Sequence, residues 1–340
     1  MREMHIEEPQ VSVIILNYNG KAFIAKCLSS VLKSDYSNFE VILVDNGSTD
    51  GSIEMTKELF SGDRRLKVIE NSRNLGFAEG NNVGARHARG EYIVFLNVDT
   101  EVDQGWLREL VKVMASDSKI GAAQCKLLLA QDKSRLESAG HYIDYVGIES
   151  VESTIVLGEV DRGQYDRVRD IFYARGAAMA IKKYVFFKAG MFDPAYFIDH
   201  EEIDLCWRIR LSGYRVVFVP RSIVYHYGSA IAGKREDNPF ILFNLRKNHI
   251  MSLLKNYELR NVLKYLPIYV TFLAAHALFS TVKDKKSTVF AYFKAILWIL
   301  INFRYIYAQR LRVQRLVRRV PDSEVMKCMV PPRIPWHFLR

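Results

Sequence analysis

Short unbroken apolar runs, separated by segments of helical period, organise the first hundred residues. VSVIIL leads through NYNG into a stretch where Ile24, Cys27, Leu28, Val31 and Leu32 recur at helical spacing. EVILV follows, then the turn DNGSTDGS, the helical IEMTKELF, a third run LKVIE, the loop NSRNLGFAEGNN, a helix through Ala85 and Ala88, and the run YIVFL. Continuous apolar strands alternating with helices predict a doubly wound, mostly parallel α/β sheet covered on both faces. Ligands of such sheets bind beyond the carboxyl ends of the strands. Polar clusters fall at those ends here: Asn17 to Asn19, Asp45 to Ser48, Asn71 to Asn82 and Asn97 to Thr100. Turn chemistry alone would explain any one cluster, but four at the same edge of one sheet point to a ligand.

Beyond residue 120 the pattern is mixed. RGAAMAI reads as a buried strand with a close approach at Gly176, YRVVFVP as a strand closed by Pro220, and IVYHYGSA as a loop holding His226. In FIDHEEIDLCWRIRLSGYR the residues Ile203, Leu205, Cys206 and Ile209 predict a short helix ended by Gly213. Asp199 and Glu202, three apart, could form its capping box. Asp204 and Arg208 are an i,i+4 pair of the kind found on solvated helix faces. From about Phe243 the chain turns helical, apolar and basic, which divides it into an α/β domain over residues 1–242 and a helical region over 243–340. LPIYVTFLAAHALFSTV has no charged residue and VFAYFKAILWILINF only Lys294. Both are somewhat shorter than the roughly 20 residues of a usual spanning helix. Oblique spans, a re-entrant hairpin, interfacial helices and core helices of a soluble domain all fit those lengths.

With 49% apolar residues the chain can bury a sizeable core, which excludes global disorder. The net charge of +10 changes the picture more. Part of it is the run FRYIYAQRLRVQRLVRR, with Arg304, Arg310, Arg312, Arg315, Arg318 and Arg319 and no acid. Such a run suits nucleic acid or an anionic membrane face, and the apolar segments before it favour the membrane over nucleic acid. Four scattered cysteines without a CxxC pair fit a reduced cytosolic setting, and MREMHIEEPQ lacks the apolar stretch of a secretory signal. No GxGxxG follows the first strand and no GxxxxGK[ST] is present, which disfavours dinucleotide-dependent dehydrogenases and P-loop enzymes.

Seven motifs in order, VSVIILNYNG, VILVDNGSTDGS, NLGFAEGNNVG, YIVFLNVDT, RGAAMAI, GMFDPAYFIDHEEIDLCWRIRLSGYRVVFVP and VYHYGS, resemble the family 2 glycosyltransferases of the GT-A fold, closest to the rhamnosyltransferase-like branch. The likeness spans roughly residues 10 to 230. It implies inverting transfer of a sugar from a nucleoside diphosphate donor, with dTDP-L-rhamnose favoured over UDP- and GDP-hexoses. A sugar nucleotidylyltransferase is disfavoured because its glycine-rich signature after the first strand is missing. A non-catalytic sugar-nucleotide sensor would account for the altered acids.

By that resemblance Asn17, Asn19, Asp45, Asn46, Gly76, Phe77, Asn81, Asn97, Asp99 and Gly176 belong to the donor site. Asn97-Val98-Asp99 stands where the family has DxD, so Asp99, with His226, is the expected ligand of a divalent cation, Mg²⁺ or Mn²⁺. The loop NLGFAEGNN is expected to offer backbone amides to ribose and phosphate, with Gly76 and Gly80 permitting close approach. HEEIDLCWR resembles the block whose second acid is the catalytic base; this maps onto Glu202, a glutamate where aspartate is commoner, with Glu201 in reserve. Asp204 and Arg208 are expected to orient the helix, and Trp207 to pack. The apolar and basic C-terminal region is expected to hold the enzyme on the cytoplasmic face of the membrane beside a lipid-linked saccharide acceptor.

Overall fold

In the computed structural model, residues 10–149, 156–228, 238–282 and 285–332 are described. The first alternation becomes β1 (Val11–Asn17), α1 (Lys21–Leu32), β2 (Phe39–Asp45), α2 (Ser52–Phe60), β3 (Leu66–Glu70), α3 (Gly76–His87) and β4 (Tyr92–Asn97). Strands β1 to β4 pair in parallel, and the register sets Asn17 opposite Asp45, Asp45 opposite Glu70 and Leu16 opposite Asn97. The polar strand ends therefore share one edge.

After β5 (Thr100–Val102) and α4 (Trp106–Ser116) come β6 (Ile120–Leu129), β7 (Asp132–Ser138), β8 (Arg169–Asp170), β9 (Ala178–Lys182), α5 (Lys183–Ala189), α6 (Glu201–Leu211) and β10 (Arg215–His226). They complete a ten-stranded mixed sheet ordered β3-β2-β1-β4-β9-β6-β10-β5, with β7 on β6 and β8 on β10. Strand β9 runs antiparallel to β4 and β6, while β10 is parallel to β6. The strand expected to close at Pro220 instead continues to His226, with Pro220 in a register break between Val219 and Ile223. A bulge tolerates the missing N–H. His226 is consequently the last strand residue, not a loop residue.

Alternate residues of the central strands enter two cores. Ile14, Ile42, Ile93 and Phe95 face one side; Val13, Val41, Val94 and Leu96 face the other. The first core continues into the C-terminal helices through Leu242, Met251, Leu253, Tyr257, Tyr265 and Tyr269. The division at residues 242 and 243 falls inside helix α7 (Pro239–Asn256), which Asn238 caps by accepting from Phe240 N and Ile241 N. Beside the apolar Leu242, Ile250, Met251 and Leu253, α7 buries Lys247, Asn248, His249, Ser252, Lys255 and Asn256. Each of these six has a hydrogen-bond or ion-pair partner, as buried polar groups require.

Helix α8 (Leu259–Val282) is long and apolar enough to cross a bilayer, and most of it is exposed. Helix α9 (Lys286–Ile301) is followed, at a 68° bend, by α10 (Phe303–Arg312) and its continuation to Val317. Leu263, Leu278, Phe290, Phe293, Leu300 and Ile301 lie exposed on α8 and α9. The arginine run divides in two. Arg310 and Arg318 donate to the carbonyls of Leu254, Asn256 and Tyr257, closing the C-terminal end of α7. Arg304, Arg312, Arg315 and Arg319 remain exposed.

Candidate active site

A cavity of about 400 Å³ opens at the carboxyl edge of the sheet. Asn46, Gly76, Phe77, Asn97, Asp99, Gly176, Glu201, Glu202 and His226 all line it. The sequence thus named nine residues that the chain, folded across 180 positions, brings to one hollow. Tyr18, Asn74, Arg175, Phe197 and Phe240 also line it and were not singled out. Tyr18 follows Asn17 directly and is exposed, an aromatic beside a polar strand end, and Asn74 lies within the polar cluster Asn71 to Asn82. Arg175 and Phe240 come from segments without a polar cluster of their own.

Four expected donor residues stand behind the wall. Asn17 Nδ2 donates to Asp45 Oδ1 at 2.9 Å and to Ser48 and Ser52. Asp45 Oδ2 accepts from the amides of Gly47 and Ser48, closing the turn after β2. Asn19, at φ 52°, accepts from Thr49 N. Asn81 Nδ2 bonds Phe77 O inside α3. Asn17, Asn19 and Asp45 tie the loop after β1 to the turn after β2, and Asn81 closes the first turn of α3. The amides expected to meet phosphate are also engaged within the protein: Leu75 N with Asn46 Oδ1, Gly76 N with Asn74 Oδ1, and Phe77 N with Phe197 O. Gly76 serves close packing, since a Cβ there would lie 2.6 Å from Phe197.

His226 sits between two carboxylates. Its Nδ1 bonds Glu137 Oε2 at 2.7 Å, and its Nε2 lies 3.3 Å from Asp99 Oδ1 without hydrogen-bond alignment. Burial alone would lower the imidazole pKa, but Asp99 and Glu137 outweigh it and hold the ring up to about 9. Glu137, on β7 and unremarked in the sequence, also accepts from Arg175 at 3.1 Å. With its pKa held up to about 9 the ring is doubly protonated near neutral pH, so a cation between Asp99 and His226 would have to displace the Nε2 proton, while Glu137 fixes the ring through Nδ1. Among the described residues no group of three ligating side chains gathers, so a cation here would take two protein ligands and the rest from its substrate or water.

The acidic block departs from its local reading. His200, not Asp199, is the N-cap of α6; it is left-handed at φ 71° and makes no side-chain cap, so the expected capping box does not form. Asp204 and Arg208 are not a solvated pair. Asp204 is fully buried, and its carboxylate takes two bonds from Arg208, one from Lys255 at 3.2 Å and one from Asn256 at 3.0 Å. Burial opposes its charge, but Arg208 and Lys255 hold its carboxyl well below the usual range. Trp207 is fully buried and packs edge-on to Tyr257. Glu201 is buried and Glu202 more open, both at the cavity wall.

The loop that presents these acids is strained. Phe197, Asp199 and His200 have φ of 63°, 65° and 71°. Phe197, with ψ −62° and a 2.7 Å bond from Ile198 N to Tyr196 O, forms the strained type of γ-turn. Each such residue costs about 1–3 kcal/mol and persists only where its surroundings impose it.

Comparison with known proteins bears on the family and the fold. Residues 12–139 match the family described as glycosyl transferase family 2. Uncharacterized protein y4gI of Sinorhizobium fredii is 31% identical over 238 residues, 68% of this chain and 26% of that one. O-antigen biosynthesis protein RfbC of Myxococcus xanthus is 29% identical over 227 residues, 65% of this chain and 18% of that one. The chain spans 19% to 39% of the length of the first curated relatives it matches. Mannosyltransferase PcManGT from Pyrobaculum calidifontis, solved with GDP-Man and Mn²⁺, shares the fold, with TM-score 0.52, 18% identity and coverage of 91% of this chain and 88% of that one. Over residues 12–139 the chain is therefore similar to glycosyl transferase family 2, and its fold is a GT-A-like mixed α/β fold.

Proposed function

We propose that this chain is an inverting hexosyltransferase, moving a sugar from a nucleoside diphosphate donor to a lipid-linked saccharide of a cell-surface glycan. L-Rhamnose carried on dTDP is the donor we assign first, from the rhamnosyltransferase-like motif set. The observation that carries the reading is the single cavity in which Asn97, Asp99, His226, Glu201 and Glu202 meet. It is supported by RfbC, named for O-antigen biosynthesis, and by PcManGT, whose structure holds a nucleotide sugar with Mn²⁺.

In this reading Asn46, Gly76, Phe77, Asn97 and Gly176 cradle the donor, while Asn17, Asn19, Asp45 and Asn81 hold the loops around it. Asp99 and His226 would hold the divalent cation, which supplies charge neutralisation to the departing diphosphate. Glu137 orients His226 by accepting from Nδ1, so that Nε2 faces Asp99. Glu202, the more open of the two acids, takes the proton of the acceptor hydroxyl. The exposed apolar faces of α8 and α9 and the free arginines after them hold the cavity at the cytoplasmic face of the membrane.

The test is nucleoside diphosphate release by the full chain with dTDP-, UDP- and GDP-sugars and a lipid extract, in Mn²⁺ or EDTA. Release from one donor, lost in EDTA and reduced at least about 1,000-fold by Glu202→Gln, is the expected result. Equal release by Glu202→Gln would move the base to Glu201. Donor binding without release from any donor would leave the sensor reading in its place.

A further inference from the structure

The strained loop before Glu201 is held by a helix that lies outside the family-matched segment. From Ala195 to Asp199, where a single 3₁₀ turn (Pro194–Tyr196) gives way to irregular backbone, five consecutive carbonyls are each bound. Lys247 Nζ takes Ala195 O at 2.7 Å; Asn248 Nδ2 takes Tyr196 O and Ile198 O at 2.9 Å and Asp199 O at 2.6 Å. Phe77 N takes Phe197 O at 2.6 Å. Asn248 alone therefore reaches three carbonyls with two N–H bonds, one of them shared. An oxygen in place of that nitrogen would face three carbonyl oxygens, so the amide orientation is fixed. Asn248 is fully buried.

The bonds fall on the backbone that sets the direction of the acids. Tyr196 and Ile198 flank the γ-turn, and Asp199 is the first of two left-handed residues running into α6. Without a donor between them these carbonyls would repel, and the chain would relax toward ordinary backbone angles. Glu202 stands three residues beyond the last clamped carbonyl.

We infer that Asn248 is a positioning residue for the transfer reaction, acting through the backbone of residues 196–199 to aim Glu202 at the acceptor hydroxyl. The inference rests on the assignment of Glu202 above. Of the donor cradle only Gly76 and Phe77 touch this loop, through the Phe197 carbonyl, which Asn248 does not bind; Asn46, Asn97 and Gly176 stand on other segments.

The experiment compares Asn248→Asp, of the same shape but with no N–H, and Asn248→Ala with the unsubstituted full chain, using the donor that releases product. Turnover should fall at least about 100-fold, because catalysis is sensitive to misplacement of order 1 Å. Donor KM, and affinity for dTDP, UDP or GDP with Mn²⁺, should change less than about threefold, and Asn248→Asp on Glu202→Gln should slow it no further. Undiminished turnover, an equal loss of nucleotide affinity, or a multiplicative loss in the double variant overturns the inference. If neither variant is recovered folded, Lys247→Met, which frees the Ala195 carbonyl and, within α7, Asn244 Oδ1, is measured: lower turnover at unchanged donor KM supports it and unchanged turnover overturns it. No release by the unsubstituted chain would overturn the transfer reading and this inference together; release unaffected by the variants overturns this inference alone.

Discussion

Asp204 illustrates how burial converts a common helical pair into a structural joint. Its carboxylate has no exposed surface and is shared by Arg208 of its own helix and by Lys255 and Asn256 of α7; Lys255 in turn bonds Asp193 at 2.6 Å. Removing one member leaves uncompensated buried charge. Asp204→Asn should therefore cost about 3–5 kcal/mol, read as a lowered urea midpoint. Two histidines give the molecule a pH-dependent stability. His200 and His249 stack at 4.9 Å, and burial lowers His200 to about 4, despite the carboxylates of Asp204 and Glu149 nearby, and His249 well below its ordinary range. Both are neutral in the folded chain. As the pH falls below about 6.5 the unfolded chain takes up protons that the folded chain refuses, so this stability is full above that value and declines toward pH 4. The loss is about 2 kcal/mol per histidine by about pH 5, and urea unfolding at about pH 7.5 and about pH 5 measures it. His249→Phe, which keeps the stacked ring, should lose about 2 kcal/mol less than the unsubstituted chain between those pH values, a difference in which the opposite contribution of His226, held up to about 9, cancels.

At the scale of elements, the loop 195–199 and the N-terminus of α3 depend on one another. A Cβ at Gly76 would lie 2.6 Å from both the ring and the carbonyl oxygen of Phe197, and Gly76 itself has φ 79°. Gly76→Ala should cost about 2–4 kcal/mol, from the left-handed backbone and the forced shift of Phe197, and should slow turnover more than it weakens nucleotide binding. Thermal unfolding and steady-state kinetics check the two halves. The sequence made the strands and α1 legible, because apolar runs and helical spacing are local signals. It misassigned the start of α6, because Asp199 and Glu202 have the right spacing for a cap, while the left-handed His200 is imposed by neighbours distant in the chain. It also placed His226 in a loop, since Pro220 reads as a strand end and only pairing with β6 and β5 carries the strand past it.

For the whole molecule, α7 belongs to the site as much as to the C-terminal region. Truncation at about residue 243 would remove Asn248, Lys255 and Asn256, and it should give an insoluble chain rather than a soluble enzyme. Membrane association is better tested on the surface. Leu278, Phe293, Leu300 and Ile301 are exposed, so exchanging them for glutamine leaves the core intact. The full chain so altered should move from the membrane to the soluble fraction with its fold retained; retention in the membrane fraction would exclude these faces as the anchor.

What the sequence determined by itself is whatever a few neighbouring residues encode. Apolar runs made buried strands, polar strand ends marked the edge where the cavity opens, and motif order named Asn97, Asp99, Glu201, Glu202 and His226. All five line one cavity. Tertiary structure decided what depends on distant partners: the burial of Asp204, the bond from Glu137 to His226, the engagement of the α3 amides by Asn46, Asn74 and Phe197, and the grip of Asn248 on the loop before the acids. The physical reason is range. Side-chain periodicity is written along the chain, whereas desolvation, buried charge pairing and the support of strained backbone exist only once segments far apart in sequence close around them.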